Sequence, residues 1–359
     1  MRITKNFKDN CINNTCTVMD ALGRLEHVYP KVLFVLNDDD LLQSSVTDGD
    51  IRRAILSGFS VDTKVECFAK KMPVCLTEED GDDIKTKALE IMHKYGISAV
   101  PLIDDSKKIL SVVVADDRAE RRNGSISLPV VMMAGGKGTR LYPYTKILPK
   151  PLIPIEEIPI SERIMDSLHG EGCNDFYLIV NYKKDMIKSY FNEGKRDYNI
   201  SFYDEKIPLG TGGGLKLIEN DIKDTFIMTN CDILILDDAS AIVRHHKESG
   251  NKATMVCSLK HYEVPYGVVN FSEGGLLESL EEKPKMSFFT NTGYYILEKE
   301  VFDYIKDGEA IGMPDIILRM KEAGLKVGVY PIGEDTWLDM GQFDSMETME
   351  RRIRNLDIN

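Results

Sequence analysis

The stretch Val130-Val131-Met132-Met133-Ala134-Gly135-Gly136-Lys137-Gly138-Thr139-Arg140-Leu141 constrains the rest of the chain most, and Leu148-Pro149-Lys150-Pro151-Leu152 follows close behind. A short apolar run that breaks into glycine reads as a buried strand entering a loop. Glycine carries no β-carbon, so backbone N–H groups at Gly135, Gly136 and Gly138 can close directly on phosphate oxygens. Cations stand at fixed distances along the same segment: Lys137 and Arg140 inside the loop, and Lys150 between two prolines that forbid a regular helix. Together they make a cradle for a polyphosphate. The common phosphate loops fit badly. There is no Gly-Lys-Ser/Thr ending, and Gly136-Lys137-Gly138 lacks the third glycine of the dinucleotide fingerprint. Taken alone, a glycine-rich stretch of this kind is more often an ordinary turn.

The chain has 359 residues, 43% of them hydrophobic, enough for a large core and for two domains or more. No apolar run approaches a membrane span, and Met1-Arg2-Ile3-Thr4-Lys5 lacks the hydrophobic segment of a signal peptide, so the expected location is the cytoplasm. Seven cysteines without a Cys-x-x-Cys pair argue for reduced thiols and against a zinc site. A net charge of -13 argues against nucleic acid as the main partner, while leaving room for a local basic pocket.

An internal duplication occupies the first third. Residues 32–50 and 100–118 each read as an apolar strand, an acidic turn, a second strand and a charged exit, aligned without a gap at an offset of 68 (100 − 32). Helical patterns precede both copies, at Val18, Met19, Leu22 and Leu25 and at Ile84, Ala88, Leu89 and Met92. Arg121-Arg122-Asn123-Gly124-Ser125 reads as a linker, and Pro129 opens the next domain.

From there strands and helices alternate. Ile160, Ile164 and Leu168 fall at helical spacing, 176–180 reads as a buried strand, 186–191 as helix and 200–203 as extended. The pattern goes on through 215–218 (helix), 226–228 (apolar strand), 241–246 (helix) and 254–259 (extended). Such alternation predicts a doubly wound sheet with ligands at the carboxyl ends of its strands. A second glycine cluster, Pro208-Leu209-Gly210-Thr211-Gly212-Gly213-Gly214, lies at such an end. Asp232 closes the apolar strand Phe226-Ile227-Met228-Thr229-Asn230, a place suited to a metal and equally to a turn, and Cys231 beside it reads as a small buried residue. His245 and His246 read as surface positions of a helix. Met346, Met349 and Ile353 form the apolar face of a helix over 345–356, directed to the core or to a partner subunit.

The order Gly-Gly-x-Gly-Thr-Arg-Leu, then Lys-Pro-Leu, resembles the signature of the sugar nucleotidyltransferases, which join a nucleoside triphosphate to a sugar 1-phosphate and release pyrophosphate. The resemblance runs in register over roughly 128–350 and places Ala134, Gly135, Gly136, Gly138, Thr139, Gly210, Thr211 and Gly212 against the nucleotide. It assigns Asp232, and Asp339 within Trp337-Leu338-Asp339-Met340-Gly341, to Mg²⁺, whose preference for oxygen ligands and retained water suits two carboxylates plus phosphates. Arg140 and Lys150 then serve the triphosphate and Lys283 the acceptor phosphate. Tyr266, Gly267, Glu282, Asn291 and Thr292 become sugar contacts. The family commonly has a lysine where Ile158 stands here, a departure that bears on the sugar. The front duplication resembles a tandem pair of CBS (cystathionine-β-synthase) domains, whose Thr-x-x-Asp motif is matched by Thr47 and Asp50. At the offset of 68 the second copy has Ala115 and Arg118 instead, which leaves one adenine-nucleotide site, or else a plain helix cap at Thr47 and Asp50.

The resemblances therefore imply an α/β protein: a Rossmann-like doubly wound mixed sheet of the nucleotidyltransferase fold over 128–359, preceded by a regulatory CBS pair over 1–122. They also imply a homo-oligomer that takes a nucleoside triphosphate and a sugar 1-phosphate, with GTP ranked before CTP and an aminohexose or hexose as the sugar. A nucleotide-sensing protein that binds without reacting is the alternative.

Overall fold

Short hairpins with matching registers build the first part of the molecule. The computed structural model describes residues 2–28, 30–77, 80, 83–95, 97–115, 126–341 and 343–355, and the chain divides into two units, Met1–Asn123 and Gly124–Asn359. The expected linker at 121–125 and Arg118 lie outside the described residues. The first unit contains β1 (Arg2–Thr4), β2 (Cys11–Asn13), α1 (Val18–His27), β3 (Val32–Leu36), β4 (Leu42–Thr47), α2 (Asp48–Leu56) and β5 (Lys70–Lys71). A second set follows: β6 (Leu76–Thr77), α3 (Ile84–Tyr95), β7 (Ala99–Ile103) and β8 (Ile109–Val114). They make two four-stranded sheets, ordered β2-β3-β4-β5 and β1-β8-β7-β6.

The two hairpins superimpose strand for strand. Val32 opposes Thr47 and Ala99 opposes Val114, and each register shifts once, before Leu36 and before Ile103. The structural offset is thus 67 (99 − 32), one residue less than the gap-free sequence match suggests. The acidic turns 37–40 and 104–107 tolerate sliding in sequence, but a one-residue slip in a strand turns every side chain to the other face. Thr47 accordingly corresponds to Val114, not to Ala115. Thr47 itself is the N-cap of α2: its Oγ1 accepts from the Asp50 N–H at 3.2 Å, and the Asp50 carboxylate accepts from the Thr47 N–H at 3.0 Å. This reciprocal box satisfies two donors that a helix start leaves orphaned. Arg53 adds an ion pair to Asp50 at 2.6 Å.

The second unit is a three-layer α/β structure. Its strands are β9 (Val130–Ala134), β10 (Pro154–Ile155), β11 (Ile158–Pro159), β12 (Asp175–Val180), β13 (Asn199–Asp204), β14 (Phe226–Asn230), β15 (Ile233–Ile235), β16 (Ala253–Glu263), β17 (Val268–Phe271), β18 (Leu277–Glu281), β19 (Lys285–Leu297), β20 (Val327–Ile332) and β21 (Trp337–Asp339). The helices are α4 (Tyr144–Ile147), α5 (Ile160–Gly170), α6 (Lys184–Glu193), α7 (Ala239–Ser249), α8 (Met313–Glu322) and α9 (Phe343–Asn355). Seven strands form one sheet in the order β13-β12-β9-β14-β19-β16-β20, with β19 antiparallel to its neighbours and the other contacts parallel. Alternate residues of β9 serve opposite faces. Val130, Met132 and Ala134 join the core under α5, α7 and α9, while Val131 and Met133 join the one under α8. Met349 and Ile353 of α9 are buried in the first of these cores, with Met346 packed against it. Because β12 and β13 lie on one side of β9 and β14 on the other, the winding reverses between β9 and β14. Such a reversal opens a crevice at the carboxyl ends of the strands.

His246 corrects an expectation. It is fully buried, because α7 turns its Ile242, Val243 and His246 stripe toward the sheet. Its Nδ1 lies 2.8 Å from Thr254 Oγ1 and its Nε2 3.1 Å from Glu298 Oε1. Burial holds its pKa below the ordinary 6.5, although Glu298 opposes the shift. The unfolded chain therefore binds this proton more readily, so its contribution to stability is present above 6.5 and lost as pH falls through that value and below. Replacing His246 with Gln should flatten the fall in Tm between about pH 7 and pH 5, measured as the difference from wild type.

Candidate active site

The loop after β9 is held by its own glycine and by a buried threonine. Gly138 has a φ of 62°, and a β-carbon there would stand 2.9 Å from Thr145 Cγ2 and 3.1 Å from Lys150 Cβ. Thr145 is fully buried and donates to the Gly138 carbonyl at 2.8 Å. The contact brings the Lys150 turn against the loop, as the paired prolines allow. Gly136 faces open space, whereas the β-carbon side of Gly135 is filled by Glu205. Ala134 is buried in the sheet, so only its main chain is available to a ligand. Thr139 and Arg140 are exposed, and Arg140 lines the adjoining cleft.

That cleft, about 320 Å³, is also lined by Thr211, Asn230, Asp232, Asn291, Thr292 and Asp339. Asp232 and Asp339 are more than a hundred residues apart and meet through a two-stranded ladder. β15 pairs with β21 so that Ile233 opposes Asp339, and the Met340 N–H donates to the Asp232 carbonyl at 3.0 Å. Lys150 forms an ion pair with Asp232. Burial opposes the charge on Lys150, but the carboxylate of Asp232, with smaller help from Cys231 and Asp339, outweighs it and raises its pKa. Burial, then the neighbouring Asp232 charge, pushes Asp339 up to about 6. Gly341 completes the turn, because a β-carbon there would stand 3.0 Å from an Asp339 oxygen.

Two facing carboxylates, one of them paired with an ammonium, form a donor set that suits a hard, oxygen-seeking dication. Among the described residues no group of three His, Cys, Asp or Glu side chains could hold a metal. Phosphate and water oxygens would have to complete any shell built on Asp232 and Asp339.

The second glycine loop is explained first by the protein itself. A β-carbon on Gly210 would meet the Ile311 carbonyl at 2.6 Å, on Gly212 the Ile316 Cδ1 at 2.4 Å, and on Gly213 the Glu309 carbonyl at 2.1 Å. The Gly212 and Gly213 N–H groups both donate to the Ile311 carbonyl, at 3.0 and 3.2 Å. Thr211 Oγ1 accepts from the Met313 N–H at 3.1 Å at the start of α8. The stretch from Glu309 to Ile316 therefore occupies the space that side chains would need. Gly213→Ala should cost about 1–3 kcal/mol of unfolding free energy through overpacking, read from the midpoint of urea denaturation.

Asn291 and Thr292 reach the cleft through a bulge. Met255 opposes Tyr295 while Cys257 opposes Asn291, so 292–294 face a single residue of β16. Bulges of this kind re-aim side chains beside functional sites. Gly293, at a φ of 82°, lets the bend press against Asn230, 2.4 Å from where its β-carbon would be. The remaining expected sugar contacts lie elsewhere. Tyr266, 75% exposed, and Gly267 precede β17, and Glu282 and Lys283 follow β18 on a solvent-facing hairpin. None of the four lines the cleft. Trp337, Met313 and Pro314 do line it, although only Trp337, beside Asp339, lies in a segment that its motif marks.

The sequence profile of the nucleotidyl transferase family matches residues 129–355. The chain belongs to this family. Among its relatives, the UTP–glucose-1-phosphate uridylyltransferase of Synechocystis sp. is 31% identical over 257 residues, covering 64% of this chain and 66% of its own. The mannose-1-phosphate guanyltransferase of Saccharomyces cerevisiae is 30% identical over 232 residues, covering 59% and 61%. This nucleotidyl transferase chain thus spans about two thirds or less of the length of these curated relatives. A crystal structure of a putative glucose-1-phosphate thymidylyltransferase from Bacillus anthracis, 23% identical, covers 65% of this chain and 96% of its own with a TM-score of 0.51, which shows a shared fold. The mixed α/β sheet is therefore the nucleotidyl transferase fold.

Proposed function

We propose that this nucleotidyl transferase moves a nucleoside monophosphate, GMP from GTP before CMP from CTP, onto an aminohexose or hexose 1-phosphate and releases pyrophosphate. One observation carries the reading: Asp232 and Asp339, remote in sequence, meet in a cleft that Arg140 also lines, and Lys150 pairs with Asp232. A curated relative named for guanyl transfer supports the base. The one named for uridylyl transfer keeps the question experimental.

An acceptor phosphate oxygen, already anionic near neutral pH, attacks the α-phosphorus in line. The bond to the bridging oxygen of the β-phosphate breaks, and pyrophosphate departs. No general base is needed, so the protein's task is to bring two anions together and to stabilise charge on phosphorus. In this reading Arg140 and Lys150 neutralise the triphosphate, the loop from Gly135 to Thr139 offers backbone N–H groups, and Asn291 and Thr292 face the sugar. Lys283 is assigned to the acceptor phosphate and Tyr266, Gly267 and Glu282 to the sugar, all from the exposed hairpin. Asp232 and Asp339 would hold Mg²⁺, which supplies charge neutralisation between the phosphates when bound.

The position of that hairpin outside the cleft favours a second reading, nucleotide binding without transfer. For the first unit, we propose a regulatory pair with Thr47 and Asp50 facing an adenine nucleotide. Incubation with Mg²⁺, each triphosphate in turn and a panel of sugar 1-phosphates distinguishes transfer from binding. Transfer predicts pyrophosphate from one triphosphate above the others, and binding alone predicts none.

A further inference from the structure

The short helix α4 sits between the glycine loop and the Lys150 turn, and little of its own chemistry holds it there. Of its four residues only Thr145 is buried, while Tyr144 and Ile147 are 55% and 72% exposed. A single helical turn packed by one side chain has little stability of its own. Yet Thr145 is the residue that donates to the Gly138 carbonyl and closes off the β-carbon side of Gly138. Whatever fixes α4 therefore fixes the glycine loop.

That support comes from Asn181-Tyr182-Lys183, which follows β12 and has no part in the chemistry proposed above. Asn181 packs against Gly135, whose β-carbon would stand 3.2 Å from Asn181 Cβ, and the Tyr182 N–H donates to the Gly135 carbonyl at 3.4 Å. The Tyr182 hydroxyl donates to the Thr145 carbonyl at 3.1 Å. Lys183 Nζ donates to the carbonyls of Lys146 and Ile147, both at 2.9 Å. The last carbonyls of a helix find no partner within it, and a cation placed there also suits the helix dipole. Lys183 does this from a φ of 52° and a ψ of 34°, a left-handed conformation that disfavours a long side chain. Such strain persists where the surrounding structure imposes it, and it gathers at sites whose geometry matters.

We propose that Lys183 is a positioning residue for the triphosphate: its ammonium, shared by the last two carbonyls of α4, holds Thr145 and through it the loop from Gly135 to Thr139. The inference rests on the reading that this loop holds phosphates. With its ammonium engaged on two carbonyls, Lys183 acts through α4 and not by touching the ligand. Losing it frees the outer end of α4, loosens the Thr145 contact to Gly138, and leaves the backbone donors of the loop less well aimed.

Lys183→Met, Lys183→Gly and Lys183→Arg in the full chain test this directly. Without ligand, hydrogen–deuterium exchange over 138–148 should quicken at least about fivefold in Lys183→Met, the effect of losing two ordinary hydrogen bonds, while β13 exchanges as in wild type. The KM for whichever of GTP, CTP and UTP wild type uses best should rise about three- to tenfold, with the KM for the sugar 1-phosphate unchanged. Glycine adopts a positive φ freely, so Lys183→Gly should melt above Lys183→Met and yet share its raised KM, a pairing that a merely structural role does not produce. Arginine, whose several N–H groups can serve both carbonyls, should return the KM to within about twofold of wild type. Exchange over 138–148 that matches wild type in Lys183→Met would overturn the assignment, and so would an unchanged triphosphate KM in that variant. Wild-type protein that neither binds nor consumes any of the three triphosphates would end the nucleotide reading and with it the role toward the triphosphate. The exchange rates, measured without ligand, would still decide whether Lys183 holds the loop.

Discussion

Asp232→Asn is expected to slow pyrophosphate release by about 10²- to 10³-fold or more, the usual loss when one preorganised charge-stabilising group is removed from a polar active site. Its carboxylate is the meeting point of the site, paired with Lys150 and facing Asp339. The fold should survive, because losing one of two adjacent acids relieves their repulsion, and the Met340 N–H bonds to the main chain of residue 232, not to its side chain. Burial would still hold Asp339 above the ordinary carboxylate range, but less far, because one cause of its shift to about 6 is gone. Steady-state pyrophosphate release under saturating Mg²⁺, beside an unchanged far-ultraviolet circular dichroism spectrum, is the measurement. Turnover within about twofold of wild type would remove Asp232 from the chemistry.

Lys150→Ala should match that loss of rate, again about 10²- to 10³-fold, for a different reason. The ammonium pairs with Asp232 and packs beside Gly138, so its removal leaves two facing carboxylates without the charge that offsets them. Asp339 should then ionise less readily still. The Mg²⁺ concentration for half-maximal rate should consequently shift away from that of wild type, because the ammonium and the dication share Asp232. Arginine at 150 should not restore full activity, because a planar fork cannot reproduce a compact point charge held between two prolines. A Mg²⁺ requirement identical to wild type in Lys150→Ala would separate the lysine from the carboxylate pair.

What the sequence made legible followed local chemistry. The β9 strand, the glycine loop and the Lys150 turn are contiguous, and their period and punctuation identify them without help. The buried face of α9 was readable for the same reason. The meeting of Asp232 with Asp339 was not, because it depends on the register of two three-residue strands whose pairing carries no local signal. His246 was misplaced because one helix face holds both it and apolar residues, and a histidine's burial depends on finding partners such as Thr254 and Glu298 elsewhere in the chain. The duplication offset slipped by one because acidic turns align in more than one way, whereas a ladder fixes its register. The glycines at 210, 212 and 213 read locally as a ligand loop, but their immediate steric reason is the backbone at 309–313 and the Ile316 side chain.

The order in which the ladder strands are made has a consequence during synthesis. β21 is made after all seven strands of the large sheet, so a chain that stops before it contains the whole sheet while lacking the second acid. A product clipped between β20 and β21 would keep every strand of the large sheet but lose the second acid together with Leu338, Met340, Met349 and Ile353 of the core beneath it. Activity would thereby report on the completeness of translation in a way that the sheet alone does not.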